Sequence, residues 1–110
     1  MIKPGKNIAI KVPTYKWLET IEYYRDRVGL PIKKTLKESI GFEFGEMTLW
    51  IDRVERQSQT DVWLELFTDD PNAAVDRLGS PVRDSLEPLG GVEGHWTNDL
   101  AGVVLLVRKE

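Results

Sequence analysis

Ile8-Ala9-Ile10-Lys11-Val12-Pro13-Thr14 and Val62-Trp63-Leu64-Glu65-Leu66-Phe67-Thr68 carry one pattern twice. Each alternates apolar side chains with others over the length of a strand, and each leads into a stretch of helical character. The two begin about half of the 110-residue chain apart, which implies a duplicated unit. Two small copies of a curved half-sheet can enclose a cavity that neither makes alone. Comparing the copies then picks out the side chains that face it.

Outward from the first copy, Ile8, Ile10 and Val12 read as the buried side of a strand, and Pro13-Thr14 breaks the ladder and offers a threonine helix cap. Over 15–28, Trp17, Ile21, Tyr24 and Val28 recur at helical spacing, Leu18 widens the stripe, and Gly29 suits a left-handed C-terminal cap. A second strand is predicted over 30–36. Strands over 40–44 and 47–51 form a hairpin turning at Gly45-Glu46, where glycine permits a type II′ turn. The second copy repeats the order. After a strand over 62–67, Asp70 caps a short helix over 72–78, Pro71 takes its first position and Gly79 ends it. Three strands are predicted over 81–85, about 94–97 and 103–108, separated by Leu89-Gly90-Gly91 and a turn over 98–102.

Composition narrows the class. With 41% hydrophobic and 30% charged residues, the chain has apolar content for one core but not for two independent ones, so the copies must share or pair. It has no cysteine, hence no disulfide framework, thiolate nucleophile or sulfur-rich zinc site, which suits a reducing cytoplasm. The opening residues 1–6 lack the apolar core of a signal peptide, and the longest apolar run, 100–107, is too short to span a bilayer, so a soluble protein is expected. A net charge of −3 with scattered Lys and Arg argues against nucleic acid as a partner.

The run from Ile10 through Tyr23-Tyr24-Arg25-Asp26-Arg27-Val28-Gly29-Leu30 resembles the opening of the vicinal oxygen chelate superfamily, in which an aromatic pair, three residues and Leu-Gly-Leu follow the first strand and helix. Asp69-Asp70-Pro71-Asn72-Ala73-Ala74 resembles the start of that family's second-module helix, and Asn98-Asp99-Leu100-Ala101-Gly102 its closing Asp-Pro-x-Gly turn. Leu100 in place of proline and Val103 in place of asparagine are departures. The resemblance implies an α+β fold of two paired βαβββ modules, a curved mixed sheet around a cavity with helices on the outer face. It implies a single domain over 1–110, with module one at about 5–55 and module two at about 60–110, and a homodimer. The superfamily includes glyoxalases, extradiol dioxygenases, fosfomycin resistance enzymes and metal-free drug-binding proteins such as bleomycin resistance protein. A ferredoxin-like dimeric barrel is the runner-up fold, since it is also built from strand-helix units of this size.

In the metal-dependent members the ligands come from the first and last strands of each module. The resemblance places those positions at Ala9, Trp50, Trp63 and Leu106. Methyl, indole and isobutyl groups supply no ligand for a divalent ion, and a shift of one residue would bring in apolar Ile10 or Leu64 instead. The sequence therefore points to the metal-free branch, with no cofactor and without metal-dependent glyoxalase or dioxygenase chemistry. Lone His95, on a Gly-flanked segment, reads as an exposed polar residue rather than a ligand.

Strand parity describes what replaces the metal. In a two-residue hairpin Phe44 opposes Met47, so Gly41, Glu43, Thr48 and Trp50 share one face, while Ile40, Phe42, Phe44, Met47, Leu49 and Ile51 share the helix-packed one. In the second copy Val62, Leu64 and Leu66 are assigned to the core and Trp63, Glu65 and Phe67 to the concave side. Asn7, Ala9 and Lys11 join the concave side from the first strand, and Val104 and Leu106 from the last. The ligand-binding candidates are thus Asn7, Ala9, Glu43, Thr48, Trp50, Trp63, Glu65, Phe67 and Leu106, with Trp96 as a further residue that could close a pocket mouth; Trp17 reads as helix packing.

The alternative is that Trp50 and Trp63 simply fill the space and close the core. Glu43 and Glu65 bear on this choice, because buried carboxylates need solvent, a basic partner such as Lys11 or Arg108, or a cationic ligand. Aromatic faces beside carboxylates suit an organic cation or a flat ring system. The expected function is binding of an apolar or cationic aromatic small molecule without metal, with antibiotic sequestration as one form of it. A metal-free lyase or isomerase using Glu43 or Glu65 as general acid or base, and a ligand-sensing interaction module, are the other readings.

Overall fold

A computed structural model describes residues 1–110 in full. The elements are β1 (Ile2–Pro13), α1 (Thr14–Glu22), a π-helical turn (Tyr23–Val28), β2 (Ile32–Thr35), β3 (Ser39–Phe44), β4 (Met47–Val54), β5 (Asp61–Thr68), α2 (Pro71–Leu78), β6 (Gly94–Asn98) and β7 (Val104–Arg108). The class is α+β. The chain divides into two compact units, Lys6–Val62 and Met1–Gly5 with Trp63–Glu110, and β1 gives its first residues to one and the rest to the other.

In Lys6–Val62 the strand order is β2-β3-β4-β1. β1 lies parallel to β4, a pairing that needs a crossover and receives it from α1. β2, β3 and β4 are antiparallel neighbours, with Phe44 opposite Met47, Glu43 opposite Thr48 and Gly41 opposite Trp50, as parity predicts. Gly45 has φ +64° and Glu46 is not left-handed, the combination that a type II′ turn requires and a type I′ turn excludes. Val12, Ile21, Ile40, Phe42, Leu49 and Ile51 form the core beneath α1, flanked by Ile8, Ile10, Trp17, Tyr24 and Leu30. Trp17 packs as expected and donates its indole N–H to the Ile51 carbonyl at 3.0 Å.

Several expectations shift here. Thr14 is not a cap: Pro13, at φ −56° and ψ 147°, is the last extended residue, and Thr14 already has helical backbone with no side-chain cap on the helix. The predicted helix over 15–28 is α-helical only to Glu22. It then widens, with the Gly29 N–H reaching back five residues to the Tyr24 carbonyl, before Gly29 closes it in the left-handed conformation. The strand predicted over 30–36 shortens to Ile32–Thr35 and carries a register irregularity between Ile32 and Lys34. Phe44, assigned to the core, sits at the hairpin end and is 46% exposed.

In Met1–Gly5 with Trp63–Glu110 the order is β5-β7-β6, β5 parallel and β6 antiparallel to β7. Asp70 accepts the Ala73 N–H at 3.1 Å and Pro71 opens α2, as predicted. α2 buries Ala74 on Leu105 and Val107, with Ile2, Leu66 and Leu78 at the margin. The eight-residue helix is about 12 Å long, and its cover on β5 stops at Leu66; Leu64 is 37% exposed. Val62, the other residue assigned to the core, is exposed as well.

The segment 81–85 is not a strand. Pro81 has no N–H to offer a ladder, and the Leu86 N–H turns back to the Arg83 carbonyl. The segment still lies along β6: the Arg83 N–H donates to the Trp96 carbonyl at 2.7 Å, and the Thr97 hydroxyl to the Pro81 carbonyl at 2.8 Å. Asp99 closes the 98–102 turn by accepting the N–H groups of Ala101 and Val103.

Candidate functional site

Within Lys6–Val62 the sheet face opposite α1 carries five of the predicted residues. Asn7 is in register with Thr48 and Ala9 with Trp50 across β1 and β4, and Glu43 stands opposite Thr48 across β3 and β4. The Trp50 indole N–H donates to the Asn7 side-chain oxygen at 2.7 Å, which fixes the ring. A Cβ on Gly41 would lie 3.0 Å from the six-membered edge of that ring and 3.0 Å from the Thr48 methyl. The absence of a side chain at Gly41 therefore lets the indole lie low over β3, and Trp50 remains half-buried rather than closed in.

The polar residues of this face have separate roles. Lys11 and Asp52, in register on neighbouring strands, form a buried ion pair at 2.7 Å. Thr48 is buried and accepts the Lys33 ammonium at 3.2 Å. Glu43 is exposed. Lys33 was not among the residues expected here. A strict alternation cannot place its side chain, because the register irregularity in β2 falls on it.

Within the other unit Trp63, Glu65 and Phe67 share a face of β5 with Leu106 of β7 and Trp96 of β6, since Glu65 pairs with Leu106 and Leu106 with Trp96. This face is filled by its own side chains. Trp63 and Trp96 are each 8% exposed and meet edge to face, centroids 5.2 Å apart. The Trp96 indole N–H donates to the Glu87 carbonyl at 3.0 Å. Glu65 is buried, ion-pairs with Arg108 at 3.6 Å and lies against Gly5, where any side chain would collide with it. Of the outcomes open to the two carboxylates, Glu65 takes a basic partner and Glu43 takes solvent.

A cleft of about 510 Å³ opens in the same unit, lined by Met1, Lys3, Phe67, Thr68, Asp69, Lys109 and Glu110. It takes in only Phe67 of the predicted residues, and its rim is ion-paired, Lys3 to Glu110 at 2.8 Å and the terminal amine to Asp69 at 3.2 Å. The amine holds the Asp69 carboxyl below the usual carboxylate range.

His95 differs from its expected place as an exposed polar residue. It is half-buried, Nδ1 lying 2.8 Å from Asp84 Oδ2 and Nε2 2.6 Å from Asn72 Oδ1. Asp84 also accepts the Trp96 backbone N–H. These partners lie 11 and 23 residues away in sequence, beyond the reach of any local pattern.

The donor set does not fit a metal ion. Nowhere do three His, Cys, Asp or Glu side chains converge, and Ala9, Trp50, Trp63 and Leu106 offer no ligand atom.

The α+β fold matches solved structures at low sequence identity, a likeness of fold alone. Homoprotocatechuate 2,3-dioxygenase from Brevibacterium fuscum matches with a TM-score of 0.65 at 15% identity over 99% of this chain and 32% of the enzyme. The Arthrobacter globiformis enzyme matches at 0.63 and 18% over 99% and 36%. A hypothetical protein of Bacillus halodurans matches at 0.64 and 12% over 99% of this chain and 94% of its own. The chain thus spans about a third of the dioxygenases. No family profile and no curated protein sequence matches it. No helix is long and apolar enough to cross a membrane.

Proposed function

We propose that this chain binds a planar, largely apolar organic molecule on the Trp50 face without a metal ion. One observation carries the reading: a half-buried indole laid over Gly41, with its N–H pinned to Asn7, is a flat surface organised before any ligand arrives. Ala9 extends it with an apolar group, and the buried Thr48 hydroxyl holds the Lys33 ammonium beside it, a composition suited to a small-molecule site. The Trp63–Trp96 face serves as packing, and sequestration of an aromatic drug is one form the binding can take.

Intrinsic fluorescence titrated with a panel of planar aromatic compounds tests this. Saturable quenching is expected, weakened at least about tenfold by Trp50→Ala with the fold intact. A flat response across the panel, or an affinity unchanged by Trp50→Ala, overturns it. Stoichiometric transition metal in the purified protein removes the metal-free part.

A further inference from the structure

The charge left on the Trp50 face is positive. Lys11 is cancelled by Asp52 at 2.7 Å. Lys33, displaced by the irregularity in β2, sends its ammonium past β3 to the Thr48 hydroxyl on β4. That hydroxyl is neutral, and Lys33 makes no ion pair, not even with Glu43, which stands directly opposite Thr48 and is exposed to water. An ammonium has three N–H donors, and Thr48 occupies one. Lys34, opposite Gly41, adds a second cation to the same face.

We infer that the site selects planar ligands bearing a carboxylate, the ring lying on Trp50 and the carboxylate on Lys33. This rests on the function proposed above and reverses the cationic preference that the two glutamates suggested from sequence. Thr48 and Trp50 are two residues apart on one face of β4, about 7 Å along the strand. An aromatic carboxylate spans that distance: its oxygens lie about 4 Å from the ring centre and a charge-assisted bond to nitrogen adds about 2.8 Å. A ligand amine would meet Lys33 and Lys34 in repulsion with only Glu43 to offset them.

Isothermal titration calorimetry with three probes on one flat ring system, 2-naphthoate, 2-naphthylmethanol and 2-naphthylmethylammonium, decides the matter. The acid is expected to bind about tenfold more tightly than the alcohol, and the amine least. Lys33→Met, which keeps the aliphatic stem, removes the acid's advantage over the alcohol; Lys33→Arg retains it. Added salt narrows the gap between acid and alcohol. Equal affinities for the three, or tighter binding of the amine, overturn anion selection while leaving the aromatic surface in place. An advantage that survives Lys33→Met but falls with Lys34→Met overturns the assignment to Lys33. Failure of all three to bind overturns the site itself.

Discussion

Lys11 is a charged side chain among buried ones: 6% of it is exposed, and Asp52, itself 15% exposed, holds it at 2.7 Å. Removing one member of such a pair leaves the other's charge in a poorly solvated place. Lys11→Met is therefore expected to destabilise the fold by about 3 kcal/mol. Adding Asp52→Leu recovers part of the loss, and the urea midpoints of the two variants check this. At this scale strand parity was a good guide, and Asn7, Ala9, Glu43, Thr48 and Trp50 all fall on the face assigned to them. Parity could not reach Lys33, whose position depends on an irregularity, or the Asp84–His95–Asn72 contacts, which join three separate parts of the chain.

Among the elements, the hairpin and α2 were legible because local chemistry dictates them: glycine at the turn, an aspartate cap and a proline behind it. The segment 81–85 carries no local signal of its path, since its place beside β6 comes from bonds to Trp96 and Thr97 rather than from its own alternation. A different long-range tie holds the approach to β3. Arg53 of β4 forks onto Glu38 at 2.5 and 2.8 Å while lying 5.6 Å from the centre of the Trp17 ring. The Arg53 guanidinium holds the Glu38 carboxyl below its ordinary range, chiefly by hydrogen bonding, which outweighs the opposing desolvation. A depressed folded value means that the unfolded chain binds the proton more readily. The stabilisation is full above the ordinary glutamate pKa and is lost as pH falls through the lower folded one. The difference in urea midpoint between wild type and Glu38→Gln should accordingly shrink between about pH 6 and about pH 3.

Over the whole molecule, composition left room for little redundancy in the core. Phe42 is completely enclosed among Val12, Ile40, Leu49 and Ile51, and Phe42→Ala should cost about 3–5 kcal/mol, read from denaturant unfolding. The two units differ in character, because Trp63 meets a second indole and Trp50 does not. That inequality gives the chain its own optical labels. Two indoles crossed at 66° with centroids 5.2 Å apart couple their electronic transitions, so a circular-dichroism couplet reports on residues 63–110. Trp17 and Trp50 are the indoles of residues 6–62, so with Trp63 and Trp96 replaced by phenylalanine the remaining emission follows that unit, and no dye need be attached to follow either.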